Sequence, residues 1–95
     1  MTSRLGNDAG ALLALTMLEW LARDAARLER FMALTGYTPE TLQRDAASKA
    51  GQLAVLEHMM SDEPLLLQFC ADTGTRPEDC AATWRRLQAG ERHGR

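Results

Sequence analysis

Chemistry in this sequence has few side chains to draw on: Cys70, Cys80, His58, His93 and the carboxylates Glu19 and Glu57. A zinc site wants four ligands at short spacings, and the two Cys and two His form no C-x-x-C or H-x-x-x-H pair. Glu19 and Glu57, if two helices brought them together, would share a proton and do acid–base work. More simply, Glu19 stands four residues before Arg23, the favourable order for a helical ion pair, and both acids mark a solvent-facing stripe. There is no G-x-S-x-G, P-loop or dinucleotide fingerprint, and the two Thr-Gly turns lack the further glycines that would wrap a phosphate. No residue is therefore assigned as catalytic, cofactor-binding or metal-ligating, and the chain reads as a non-enzyme without a cofactor.

The elements that must position these residues are helical. The 95 residues hold fifteen Leu and one Val, with no Ile and only 5% aromatics, a poor composition for a sheet. The length allows one domain over residues 1–95. Shifted by 38 residues, 15–46 overlies 53–84 with eleven identities in 32 pairs and no gap. They include Leu18/Leu56, Asp24/Asp62, Phe31/Phe69, Gly36/Gly74 and Pro39/Pro77, so the string F-x-x-x-T-G-x-x-P-E occurs twice. Within each copy the punctuation marks three helices. Asp24 and Asp62 are N-caps, Gly36 and Gly74 stand where a helix end needs a left-handed residue, and Pro39 and Pro77 open the third helix. Thr38 caps the first of these third helices, and a Thr75–Glu78 capping box is expected for the second.

Six short helices follow, near 9–22, 24–35, 38–47, 49–60, 62–73 and 76–89, with frayed ends at 1–8 and 91–95. The expected fold is all-α: two three-helix units about a pseudo-two-fold axis, their first helices packed together. The first helix, apolar nearly all round, belongs in the middle of the bundle. The register also assigns Cys70 and Cys80, which overlie Met32 and Leu42, to the core as small hydrophobes. His58 takes the place of Trp20 and is expected to fill an aromatic's position. Trp84 facing Ala46 predicts asymmetry between the copies, with Trp84 packed on the first unit and the third helix of that unit the looser one.

With the repeat in view, the chain resembles a family of small bacterial proteins, chiefly alphaproteobacterial, catalogued as a domain of unknown function. The resemblance is carried by A-L-L-A-L near Ala11, W-L-A-R-D at Trp20–Asp24, R-F-M-A-L-T-G-Y-T-P-E at Arg30–Glu40 and S-D-E-P-L-L-L-Q-F at Ser61–Phe69. It implies a helical fold and no activity. A local similarity to ubiquitin-associated-type three-helix modules lies in Phe31-x-x-x-Thr35-Gly36 and the helix at Leu53–Met59. By that analogy, Leu34-Thr35-Gly36-Tyr37 is a partner-binding loop, against the plain alternative of a glycine C-cap.

The function classes narrow by exclusion. A net charge of -2, with basic residues clustered only near the C-terminus, argues against nucleic acid. No apolar run reaches the roughly 20 residues of a spanning helix, so no membrane association is expected. Asp8 and Glu19 flank the N-terminal apolar run without a small-residue cleavage site, unlike a signal peptide, and a cytoplasmic location is expected. The leading expectation is a helical module for protein interaction, its partner another protein or a second copy of itself. The alternative is a binder of a small molecule or acyl chain at the apolar interface between the units. The candidate partner contacts are Leu34, Gly36, Tyr37, Met59 and Met60.

Overall fold

The computed structural model describes the backbone of residues 2–93 and the side chains of residues 9–90. Among the described residues all regular structure is helical: α1 (Thr2–Ala22), α2 (Ala25–Thr35), α3 (Pro39–Asp45), α4 (Lys49–Met60), α5 (Glu63–Thr73) and α6 (Pro77–His93). The boundaries follow from capping chemistry. Asp24 Oδ1 accepts from the backbone N–H groups of Ala26 and Arg27 at 3.0 and 3.2 Å, and Asp62 Oδ1 from that of Leu65 at 3.2 Å. These bonds satisfy donors that the first helical turn leaves without partners. Thr38 exchanges reciprocal bonds with Thr41, a capping box that starts α3, and Ser48 caps α4 through Gly51. Gly36 and Gly74 end α2 and α5 at φ 84° and 77°, each N–H returning 2.9 Å to the carbonyl of Met32 or Cys70.

The first helices of the two halves, α1 and α4, pack against each other at the centre. Met17 and Leu21 on α1 and Leu56 and Met59 on α4 are fully buried, and the second-helix phenylalanines Phe31 and Phe69 join them. Two aromatic contacts cross between the halves. The Trp20 ring on α1 meets Phe69 on α5 edge-on, with centroids 5.5 Å apart and planes at 79°. His58 on α4 meets Phe31 on α2 in the same manner, at 5.1 Å and 84°. Trp20 is further held by its Nε1–H, which donates to Asp72 Oδ2 at 2.9 Å, and by the Arg27 guanidinium 3.9 Å over its ring.

Helix α6 lies along α4 and α1, with Trp84 half-buried against the core. In the first half, α3 instead packs mainly on α4, across the close approach of Gly51 to the Asp45 carbonyl.

Several boundaries differ from expectation. Helix α1 starts at Thr2 rather than near residue 9, and α6 runs to His93 rather than to 89, so the ends expected to fray at 2–8 and 91–93 have helical backbone. Residues 1, 94 and 95 lie outside the described residues. Helix α3 stops at Asp45, where Ser48 turns its hydroxyl to the Asp45 carbonyl at 2.8 Å before capping the next helix. The Thr75–Glu78 box gives way to a Thr73–Thr75 hydroxyl contact of 2.8 Å and an Arg76–Asp79 ion pair. Nor is α1 buried all round: Leu12 and Leu15 are 65% and 46% exposed.

Candidate functional site

The thiols are core residues. Cys70 and Cys80 are both free and buried, on α5 and α6. Their sulfurs interact with each other, a proximity that the ten-residue spacing did not reveal. Burial pushes the Cys70 thiol up, and burial together with the neighbouring Cys70 pushes Cys80 up to about 12. A thiol held protonated is a poor nucleophile. Glu19 and Glu57 are exposed on α1 and α4, and the expected Glu19–Arg23 ion pair does not form.

His58 fills an aromatic's place, as its register with Trp20 predicted. It is 8% exposed, and its Nε2 has no hydrogen-bond partner. Burial lowers its pKa, the Asp62 charge opposes that shift and the Arg30 charge adds to it, so the ring is neutral at pH 7. Two clefts of ≈ 390 and ≈ 350 Å³ meet at His58 and share Leu34 and Ser61.

The candidate contact residues do not come together as one exposed surface. Leu34 is 63% exposed and Gly36 is exposed, but Met59 is fully buried among the core residues and is corrected from surface to core. Met60 is half-buried. Tyr37 is half-buried too, stacked on Phe31 at 6.2 Å with its hydroxyl donating to Asp45 at 3.4 Å. Burial and the Asp45 charge raise its pKa, while the Arg44 guanidinium, which bonds Asp45 at 2.9 Å, holds that carboxyl below its ordinary range. Tyr37 thus ties the α2–α3 turn to the end of α3.

A different surface is more open. Between α1, α2 and α3 lies a groove of ≈ 430 Å³ walled by Leu18, Leu28, Met32, Leu42 and Ala46, with Ala22, Pro39, Glu40 and Gln43 at its margin. The spacing of the wall residues showed only an ordinary apolar stripe. The signal that could have found the groove was the pairing of a small residue, Ala46, with a large one, Trp84.

Residues 7–90 match the model of a family described as a protein of unknown function, DUF3572. The chain belongs to that family. The match spans both halves, from within α1 to within α6, and assigns no activity to any residue. Neither a curated protein nor a solved structure matches the chain. Among the described residues no group of three or more His, Cys, Asp or Glu could hold a metal ion, and no helix is long and apolar enough to cross a membrane.

Proposed function

We propose that this member of the DUF3572 family is a non-enzymatic helical module built from two three-helix units related by an approximate two-fold axis. The observation that favours the two-fold is reciprocity. Shifting Trp20 and Phe69 by 38 residues in opposite directions yields His58 and Phe31, and each pair meets edge-on at nearly the same distance. If residue i touches j across a two-fold axis, the counterpart of j touches the counterpart of i.

The module offers the groove beside α3 to a protein partner. The single observation that carries this function is the groove itself: mostly apolar walls left open beside the core, in contrast to the more polar clefts at His58. Its setting is cytoplasmic, in keeping with two buried cysteines in the thiol form. A photo-crosslinking amino acid at Gln43, on the groove margin, tests the function in the native cell, with one at the exposed Glu29 as control. A discrete protein adduct from position 43 and none from position 29 is expected. Equal labelling at the two positions refutes the reading, and a lipid or small-molecule adduct at 43 favours an acyl-chain or small-molecule binder instead.

A further inference from the structure

We infer that Cys70 and Cys80 form a reversible disulfide when the protein meets a hydroperoxide, a modification that locks the start of α6 onto the end of α5. The lock is independent of the groove beside α3, and crosslinking from Gln43 can succeed or fail without it.

The chain holds two cysteines in 95 residues, and the fold brings both to one contact in the core. They lie on helices packed against each other, on either side of the turn at Gly74–Arg76. That turn anchors both backbones. The Cys70 carbonyl accepts from the Gly74 N–H at 2.9 Å, closing α5, and the Cys80 N–H donates to the Arg76 carbonyl at 3.3 Å, opening α6. Two fixed helix ends therefore hold the sulfurs together, and bond formation asks for a turn about χ1 that closes them to about 2 Å. Packing alone accounts for a small apolar side chain at each position, as alanine would give. It does not require that both be cysteine and that they meet.

Exposure divides their roles. Cys80 is 0% exposed and Cys70 is 7% exposed, so Cys70 is the sulfur that a molecule as small as hydrogen peroxide reaches first. Burial raises the Cys70 pKa, and a hydrogen bond from the Cys80 thiol offsets part of that rise. Burial, the neighbouring Cys70 charge and the same bond push Cys80 up to about 12. Glu78 and Asp79, in the first turn of α6, add negative charge that disfavours the thiolates.

Cys70 ionises, its thiolate attacks one peroxide oxygen and the O–O bond breaks, leaving a sulfenic acid and one water. The Cys80 sulfur then attacks the Cys70 sulfur, the S–O bond breaks, and the departing hydroxide takes up the Cys80 proton as a second water. Two thiols and one peroxide thus give one disulfide and two waters, with two electrons passing from sulfur to peroxide. A dithiol reverses the bond by exchange. Burial slows the first step, so the resting protein keeps both thiols and sustained peroxide converts it. Closing so short a loop in the unfolded chain should favour folding by up to about a hundredfold.

The test exposes the whole reduced chain to a molar excess of hydrogen peroxide, then unfolds it in an alkylating agent. The monomer should lose two hydrogens in mass, carry no alkyl label and, cut after Glu78, yield two peptides joined through Cys70 and Cys80. Dithiothreitol should restore both labels. The oxidised form should keep its far-UV circular dichroism and unfold at higher urea. Unfolding peroxide-treated Cys80→Ala in dimedone should trap a sulfenic acid at Cys70, and Cys70→Ala should give severalfold less at Cys80. The peptide map of the natural chain needs neither variant to fold. The disulfide is refuted if the folded chain keeps both labels under peroxide that oxidises the urea-unfolded chain, or if linked dimers or sulfinic acid appear in place of the internal bond. An oxidised form that unfolds at lower urea or has lost helix would equally overturn the lock, since the bond would then form only in opened chains. Equal dimedone labelling at the two positions would overturn the role given to Cys70.

Discussion

Trp20 is the side chain through which α1 is tied to α2 and α5, and its removal should be the most damaging single change among the aromatics. The ring is 2% exposed, contacts Phe69 edge-on, lies under the Arg27 guanidinium and donates to Asp72. Trp20→Ala should cost about 3–5 kcal/mol through lost burial and the cavity left behind. Trp20→Phe keeps an edge-on ring for Phe69 but loses the second ring and the N–H, and should cost about 2–3 kcal/mol. A domain of this size has roughly 5–14 kcal/mol in all, so the alanine variant sits near the threshold of folding. The indole–carboxylate bond is separable by a double-mutant cycle of Trp20→Phe and Asp72→Ala. Asp72 is exposed and water competes for its oxygens, so the coupling should be about 1 kcal/mol rather than the larger values of buried charged bonds. Urea unfolding followed by far-UV circular dichroism measures each corner, with unchanged m-values expected. A coupling under about 0.3 kcal/mol would refute the Trp20–Asp72 bond, and an alanine cost under about 2 kcal/mol would remove Trp20 from the core.

Three further outcomes are expected. His58 is protonated less readily in the fold than in the unfolded chain, so its contribution is complete above about pH 6.5 and is lost as pH falls from there through the lowered folded pKa. Urea midpoints from pH 8 to pH 5 should therefore drop for the natural chain and stay flatter for His58→Phe; parallel curves would contradict the buried neutral ring. A chromogenic disulfide reagent should count two thiols in the denatured, never-reduced chain yet react slowly with the native one, since Cys80 is buried and pushed up to about 12; a count of zero with monomeric mass would reveal a disulfide. Gly36→Ala should cost about 1–2 kcal/mol from its positive φ alone, because nothing lies within 4 Å of the added Cβ. Gly51→Ala should cost more in chemical denaturation, because its Cβ would overlap the Asp45 carbonyl; equal costs would contradict that close approach.

The helical frame was legible because its determinants are local. An Asp before an apolar stripe and a Gly after it specify where backbone donors and acceptors run out, and both ends of α2 and of α5 fall where these residues stand. The core places of His58, Cys70 and Cys80 were legible through the register, since a residue that overlies Trp20, Met32 or Leu42 inherits a packed position. What was not legible depends on contacts distant in sequence. Met59 and Met60 are adjacent methionines, and only the packing of α1 on α4 decides that the first is fully buried and the second half-buried. Tyr37 reads as a loop aromatic until the fold brings Asp45 and Phe31 beside it. Leu12 and Leu15 read as core until the extent of α6 along α1 shows that the bundle leaves that face open.

The duplicated positions and the differing ones carry separate information. Residues held in common, such as Asp24/Asp62, Phe31/Phe69 and Gly36/Gly74, set helix ends and packing, and any function confined to them would be present twice. The groove lies beside α3 in the first half, and the differences across its lining run both ways: Trp84 and Met60 are large where Ala46 and Ala22 are small, while Cys70, Cys80 and Ala81 are small where Met32, Leu42 and Gln43 are large. A bulky residue at position 46 would close an open apolar surface, which normally favours stability. Leaving it open therefore has a thermodynamic cost. On the proposed reading that open surface is the one a partner covers, since a filled groove has nothing to offer a partner. The Trp20/His58 pair makes a useful contrast: both side chains are buried against a phenylalanine, so that difference conserves a packed contact. The interaction proposed for this fold is therefore to be sought at the open apolar surface beside α3, rather than where the halves differ in chemistry at the core.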